Sequence, residues 1–291
     1  MQFLASPGCH CCVNLFRLET LQKHFAMHQK NLQTHPDLII FEVFKIYMTQ
    51  DVSFFLLISV VAFLYASVGH GGASGYLALM VLFGISPLVM KSSALILNVF
   101  VSAIAFIQYY REGHFRWKIL MPFILLSIPM SFIGAKIHIE VHTYKIILSA
   151  CLFLATLRLL GFFGKTNSAQ IKKVKLIQAL IIGGIIGFIS GMIGIGGGII
   201  LSPVLLLLHW SDMKQTAAVS AAFIFLNSIS GIAGAGMMMQ PPSSQIYFWA
   251  IAAIFGGTAG AYYGSSQFNN KVLRYVLSVV LLFACTKLMI T

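Results

Sequence analysis

Charge is what this sequence has least of. Only 9% of its residues are Asp, Glu, Lys or Arg, against about 25% in ordinary soluble domains, too little to coat a water-facing surface. Acidic side chains are the scarcest. All seven, Glu19, Asp37, Glu42, Asp51, Glu112, Glu140 and Asp212, fall in the N-terminal region or in polar breaks between apolar stretches. No carboxylate is therefore available deep in a bilayer, where cation-coupled transporters usually keep one. The five cysteines, Cys9, Cys11, Cys12, Cys151 and Cys285, are odd in number and scattered, which excludes a disulfide framework. The first 47 residues do not read as a secretory leader, since no basic segment leads into an apolar run with a small-residue cleavage site. The Cys9-His10-Cys11-Cys12 cluster, with His24, His28 and His35 beyond it, has ligands that suit zinc or copper. It lacks the second, distant pair of a closed site, so no metal and no cofactor is assigned.

What is there in abundance is apolar. Hydrophobic residues make up 58% of the 291, with 24 Phe and 10 Tyr, a composition that places most of the chain in hydrocarbon. The expected fold class is an all-α polytopic membrane protein. The formal charge of +12 then reads as basic residues gathered in cytoplasmic loops, and nucleic acid is not a partner. Residues 1–50 form an N-terminal extension with no run long enough to span, and Met48 is a candidate functional start. Apolar segments follow near 53–68, 73–86, 92–110, 119–135 and 144–163, then 176–193, 196–209, 215–238, 246–266 and 272–290. The stretches 73–86 and 196–209 fall short of a comfortable span, as a broken or re-entrant helix does.

The two groups are one pattern written twice. Val68-Gly69-His70-Gly71-Gly72 aligns with Ile193-Gly194-Ile195-Gly196-Gly197, Met90-Lys91 with Met213-Lys214, and Ile133-Gly134-Ala135 with Ala259-Gly260-Ala261. We read residues 51–163 as membrane repeat one, 164–175 as a basic linker and 176–291 as membrane repeat two. Each repeat has about five segments, an odd number, so the second enters the membrane inverted. Arg158, Lys165, Lys172, Lys173 and Lys175 mark the linker region as cytoplasmic, and the uncharged loop 239–245 falls on the other side. Lys91, Lys136 and Lys145 do not follow the pattern.

Each repeat has a glycine-dense break at its first boundary: Gly69, Gly71, Gly72 and Gly75 in one, Gly191, Gly194, Gly196, Gly197 and Gly198 in the other. Backbone that leaves the helix at membrane depth must be buried or line a wet cavity. A helix starting after such a break aims free N–H groups and partial positive charge at the gap, which suits an anion. The ridges Gly183, Gly187, Gly191 and Gly256, Gly260, Gly264 read instead as close helix packing. Gly194-Ile195-Gly196-Gly197-Gly198 has neither the preceding strand nor the following Lys-Ser/Thr of a phosphate loop. His70 can donate to an anion or carry a proton, or be a packed imidazole bonded to a carbonyl. Lys91 and Lys214 can lend positive charge to the breaks, or anchor the membrane edge. Asn98 with Ser102, and Asn227 with Ser230, offer substrate contacts or interhelix hydrogen bonds.

In the duplicated architecture, and in Gly194-Ile195-Gly196-Gly197-Gly198 followed by Ser202-Pro203, Lys214, Ala217 and Ser220, residues 50–291 resemble the sulfite exporter TauE/SafE family. Repeat one departs from the motif, with His70 inside it, Ala73 in place of a third glycine and the proline displaced to Pro87. The resemblance implies a multi-pass cell inner-membrane permease, not an enzyme, for sulfite, sulfonates or related organosulfur anions. The candidate substrate-binding residues are Gly69, His70, Gly71, Gly72, Gly194, Gly196, Gly197, Gly198, Lys91, Lys214, Asn98 and Asn227, and no catalytic residue is assigned. The expected partners are a small anionic solute and membrane lipid, with a homo-oligomer left open. The competing readings are a membrane-embedded thiol redox enzyme using Cys151 and Cys285, and a passive channel or assembly factor.

Overall fold

The computed structural model describes residues 52–137, 139–159, 171–236 and 245–266, with Leu282 and Thr286. The N-terminal extension with its cysteine cluster, most of the basic linker, the loop 239–244 and Cys285 lie outside the described residues. Within them every regular element is a helix. The order is α1 (Val52–Ala66), α2 (Ala73–Leu82), α3 (Pro87–Arg111), α4 (Trp117–Lys136), α5 (Val141–Leu159), α6 (Leu176–Ile193), α7 (Gly198–Leu207), α8 (Met213–Ala235) and α9 (Gln245–Ser266). Each apolar stretch of the sequence coincides with a helix except 272–290, of which only Leu282 and Thr286 are described.

Four of these helices are long and apolar enough to cross a membrane: α4, α6, α8 and the Val89–Arg111 part of α3. At the other extreme, α2 and α7 have 10 residues each, so each rises about 15 Å, half of a hydrocarbon core. Local chemistry explains the ends of the short helices. Gly84 at the end of α2 and His209 at the end of α7 are both left-handed. Each is followed by a closing bond to the third-last helical carbonyl, Ile85 N–H to Met80 O at 2.8 Å and Trp210 N–H to Leu205 O at 2.9 Å. Pro87 then starts α3 at its first helical position, and Asp212 caps α8 by accepting from the Gln215 N–H at 2.8 Å.

The glycine ridges decide which helices touch. A Cβ on Gly183, Gly187 or Gly191 of α6 would run into the carbonyl oxygen of Phe123, Ser127 or Ser131 on α4. One on Gly256, Gly260 or Gly264 of α9 would meet Ser59 or Phe63 of α1, or Ser67 just beyond it, in the same way. Removing the side chain at every fourth residue lets two backbones approach along a whole face. The Phe54 ring of α1 completes that contact, edge-on to Trp249 of α9 at 4.9 Å. Since α4 packs against both α6 and α8, and α3 against both α9 and α8, the two halves of the chain interlock. The outward faces are apolar, with Ile177 72% and Phe255 71% exposed, as a lipid-facing surface requires.

Candidate functional site

Between α1 and α2 the chain leaves the helix at Gly69 (φ 73°), His70, Gly71 and Gly72 (φ 92°). Between α6 and α7 it does so at Gly194 (φ 89°), Ile195, Gly196 (φ 77°) and Gly197 (φ 76°). A left-handed backbone costs any side chain about 1–2 kcal/mol, which accounts for glycine at these positions. Gly72 and Gly197 are the N-caps of α2 and α7, and neither helix has a side-chain cap. The first-turn N–H groups of both helices face the breaks with no earlier turn to bond to, except that of Ile200, which reaches the Gly197 carbonyl at 3.1 Å.

The two breaks meet at the same two side chains. A Cβ on Gly71 would lie 2.6 Å from Asn98 Oδ1 and 2.9 Å from Ile224 Cγ2. One on Gly196 would lie 2.7 Å from Asn98 Nδ2, 2.8 Å from Ile224 Cγ2 and 3.2 Å from Ser228 Oγ. Gly198 likewise has no room for a Cβ beside Ile224. Asn98 comes from α3 and Ile224 from α8, the long helices that cross between the breaks. The Asn98 amide also donates to the Ile195 carbonyl at 3.2 Å, tying α3 to the second break.

His70 is buried and bonded at both ring nitrogens. Nδ1 lies 2.9 Å from the Val68 carbonyl, which can only accept, so Nδ1 carries a proton. Nε2 lies 3.0 Å from Ser202 Oγ, which is 2.7 Å from Ser220 Oγ and 2.8 Å from the Gly198 carbonyl. The first break is thus linked through one imidazole to α7 and α8.

The lysine ammonium groups bond to helix ends. Lys91 Nζ donates to the Ala135 carbonyl at 3.1 Å and Lys214 Nζ to the Ser265 carbonyl at 2.9 Å, at the C-terminal ends of α4 and α9. An ammonium there completes a helix end and complements its dipole. The Lys91 stem does border the second break, with Cγ 3.1 Å from a Cβ on Gly194. Asn227 bonds along its own helix, donating to the Phe223 carbonyl at 2.8 Å, while its backbone carbonyl accepts from Ser131. It is the next residue, Ser228, that faces Gly196.

Among the described residues six buried side-chain polar atoms have no hydrogen-bond partner, those of Tyr76, Asn98, Ser127, Ser190, Asn227 and Ser228. Four of these residues stand against break glycines: Tyr76 at Gly72, Asn98 at Gly71, Ser190 at Gly197 and Ser228 at Gly196. Buried orphans are rare because each costs a desolvation penalty, and a bound water, ion or ligand is one way such a group is satisfied. The sequence reading missed Tyr76, Ser190 and Ser228. Spacing carried a signal for two of them, since Tyr76 follows Gly72 by one helical turn and Ser190 precedes Gly194 by one. Cys151 is buried on α5.

Comparison with known proteins places the chain in a family. The family described as Sulfite exporter TauE/SafE matches residues 54–288. A Sinorhizobium fredii protein named Probable membrane transporter protein y4hK is 36% identical over 244 residues, 83% of this chain and 99% of its own. Probable membrane transporter protein YjnA of Bacillus subtilis is 23% identical over 238 residues, 76% of this chain and 92% of its own. No solved structure matches the chain. With apolar helices long enough to span and a family match over most of its length, this chain is a helical membrane protein that belongs to the sulfite exporter TauE/SafE family.

Proposed function

We propose that the protein is a multi-pass inner-membrane transporter, a secondary permease for a small anion such as sulfite, a sulfonate or a related organosulfur compound. The anion binds where the two glycine breaks meet. The observation that carries this reading is the convergence of two uncapped helix N-termini, with orphan polar side chains, on the shared pair Asn98 and Ile224. Two partial positive ends facing one point suit one negative charge. Residues 51–163 and 176–291 are inverted copies of one repeat, which puts α2 and α7 in equivalent places on either side of a pseudo-two-fold axis. His70, through Ser202 and Ser220, supplies a titratable group to the site.

The packing supports a particular choice of moving parts. Rocking of repeat against repeat would tear the glycine contacts of α6 on α4 and of α9 on α1. The units compatible with those contacts are mixed: α4 with α6 and α8, and α9 with α1 and α3. They touch through α3 and α8, the helices that carry Asn98 and Ile224. Alternating access is then a rotation of one mixed bundle against the other about the breaks.

The test is flux in proteoliposomes holding the purified full-length chain. Saturable movement of sulfite or a sulfonate, competed by others of the class, is expected. Flux that rises without saturation makes the protein a channel, and none across a panel of small sulfur and carboxylate anions refutes the proposal.

A further inference from the structure

Asn98 has one end of its amide hydrogen-bonded and the other buried without a partner. Its Nδ2 lies 3.2 Å from the Ile195 carbonyl. An oxygen could not stand there, because two acceptors would face each other, so the amide has only one orientation. Oδ1 is thereby directed at the first break, 2.6 Å from the Cβ position of Gly71. Asn98 is fully buried and Oδ1 has no donor. The Ser102 hydroxyl bonds to the Asn98 backbone carbonyl and leaves the side chain alone. The other orphans against the breaks, Tyr76, Ser190 and Ser228, are hydroxyls, which rotate to donate or accept as required. The first-turn N–H groups of α2 and α7 only donate. The site therefore sets many donors beside one amide oxygen that has no partner and cannot turn away.

A fully ionised oxyanion has nothing to give that acceptor. Its oxygens would face the Oδ1 lone pairs in a buried setting, whereas an anion with an O–H of its own would donate to Oδ1 and accept from everything else. Resting on the permease reading above, we propose that Asn98 makes the site selective for oxyanions that carry a proton, such as hydrogensulfite in its oxygen-protonated form, over sulfonates and other anions without an O–H. The penalty for leaving a buried acceptor unpaired corresponds to a preference on the order of tenfold to a hundredfold.

The experiment is calorimetric titration of the detergent-purified full-length chain at one fixed acidic pH, so that no protein group changes charge between ligands. Hydrogensulfite and hydrogenselenite carry a proton under these conditions, and methanesulfonate does not. Wild-type protein is expected to bind the first two at least about tenfold more tightly. An Asn98→Leu variant, its folding checked by unfolding midpoint, is expected to bring the three ligands within about threefold of one another. If that variant does not fold, the wild-type ratio decides alone. Methanesulfonate binding as tightly as hydrogenselenite to wild type overturns the inference and leaves the anion site standing. A ratio unchanged in folded Asn98→Leu removes Asn98 as its cause. No binding of any of the three overturns the permease reading together with this inference.

Discussion

Gly71→Ala and Gly196→Ala separate two costs that the breaks combine. At both positions the new methyl would press on the same side chains, Asn98 at 2.6 or 2.7 Å and Ile224 at 2.9 or 2.8 Å. Overpacking of this kind typically costs about 1–3 kcal/mol. Gly71 is not among the positive-φ glycines, so alanine adopts its backbone freely. The reduced entropy of the unfolded chain then returns about 0.4–1 kcal/mol. That return is the same at Gly196, but Gly196 sits at φ 77°, which adds a left-handed penalty of about 1–2 kcal/mol. Gly196→Ala should therefore be the more destabilising by about that 1–2 kcal/mol. Reversible unfolding in detergent micelles, followed by intrinsic fluorescence, measures the difference. Ile224→Ala removes the methyl that both alanines press on, so each alanine should cost less in that background, with a coupling of about 1 kcal/mol. Equal costs for the two alanines would refute the backbone argument. Strict additivity with Ile224→Ala would refute the claim that the breaks meet at this residue. Flux through folded Gly71→Ala should fall to background.

Gly187→Ala and Gly260→Ala should each destabilise more than Gly71→Ala in the same unfolding assay, because their methyls meet the Ser127 and Phe63 carbonyls, backbone that cannot rotate aside; a milder effect would contradict the ridge packing. Lys91→Met and Lys214→Met should lower the unfolding midpoint with little change in apparent anion affinity, since each ammonium serves a helix end, and a large affinity loss at full stability would put the lysines back in the site. Cysteines placed at Lys172 and Ser243 in a cysteine-depleted chain should label from opposite sides, and labelling from one side would end the inverted arrangement. Flux should respond to a potassium-diffusion potential, worth about 2.3 kcal/mol per charge per 100 mV and favouring anion export when the interior is negative. Strict sodium dependence would contradict this, and full pH dependence in His70→Gln would remove His70 as the proton carrier.

Helix positions were legible because hydropathy is a local property. Apolar length alone located α1 to α9, and the unusual shortness of 73–86 and 196–209 located α2 and α7. Glycine placement located both breaks, since a left-handed residue restricts its own position whatever surrounds it. The duplicated pattern together with the motif at the second break carried the family resemblance. Partnership between distant helices is a different kind of information. A ridge of glycines states that something packs closely there, but which helix does so depends on contacts far apart in sequence. Each ridge proved to join one half of the chain to the other, α6 to α4 and α9 to α1. The same holds for side-chain direction. Lys91 and Lys214 read equally well as charge for the breaks or as anchors, and only the nearness of the Ala135 and Ser265 carbonyls directed them to helix ends. Ser228 rather than Asn227 came to face Gly196 because the rotation of α8 is set by its packing on α3 and α4, and no local pattern encodes that angle.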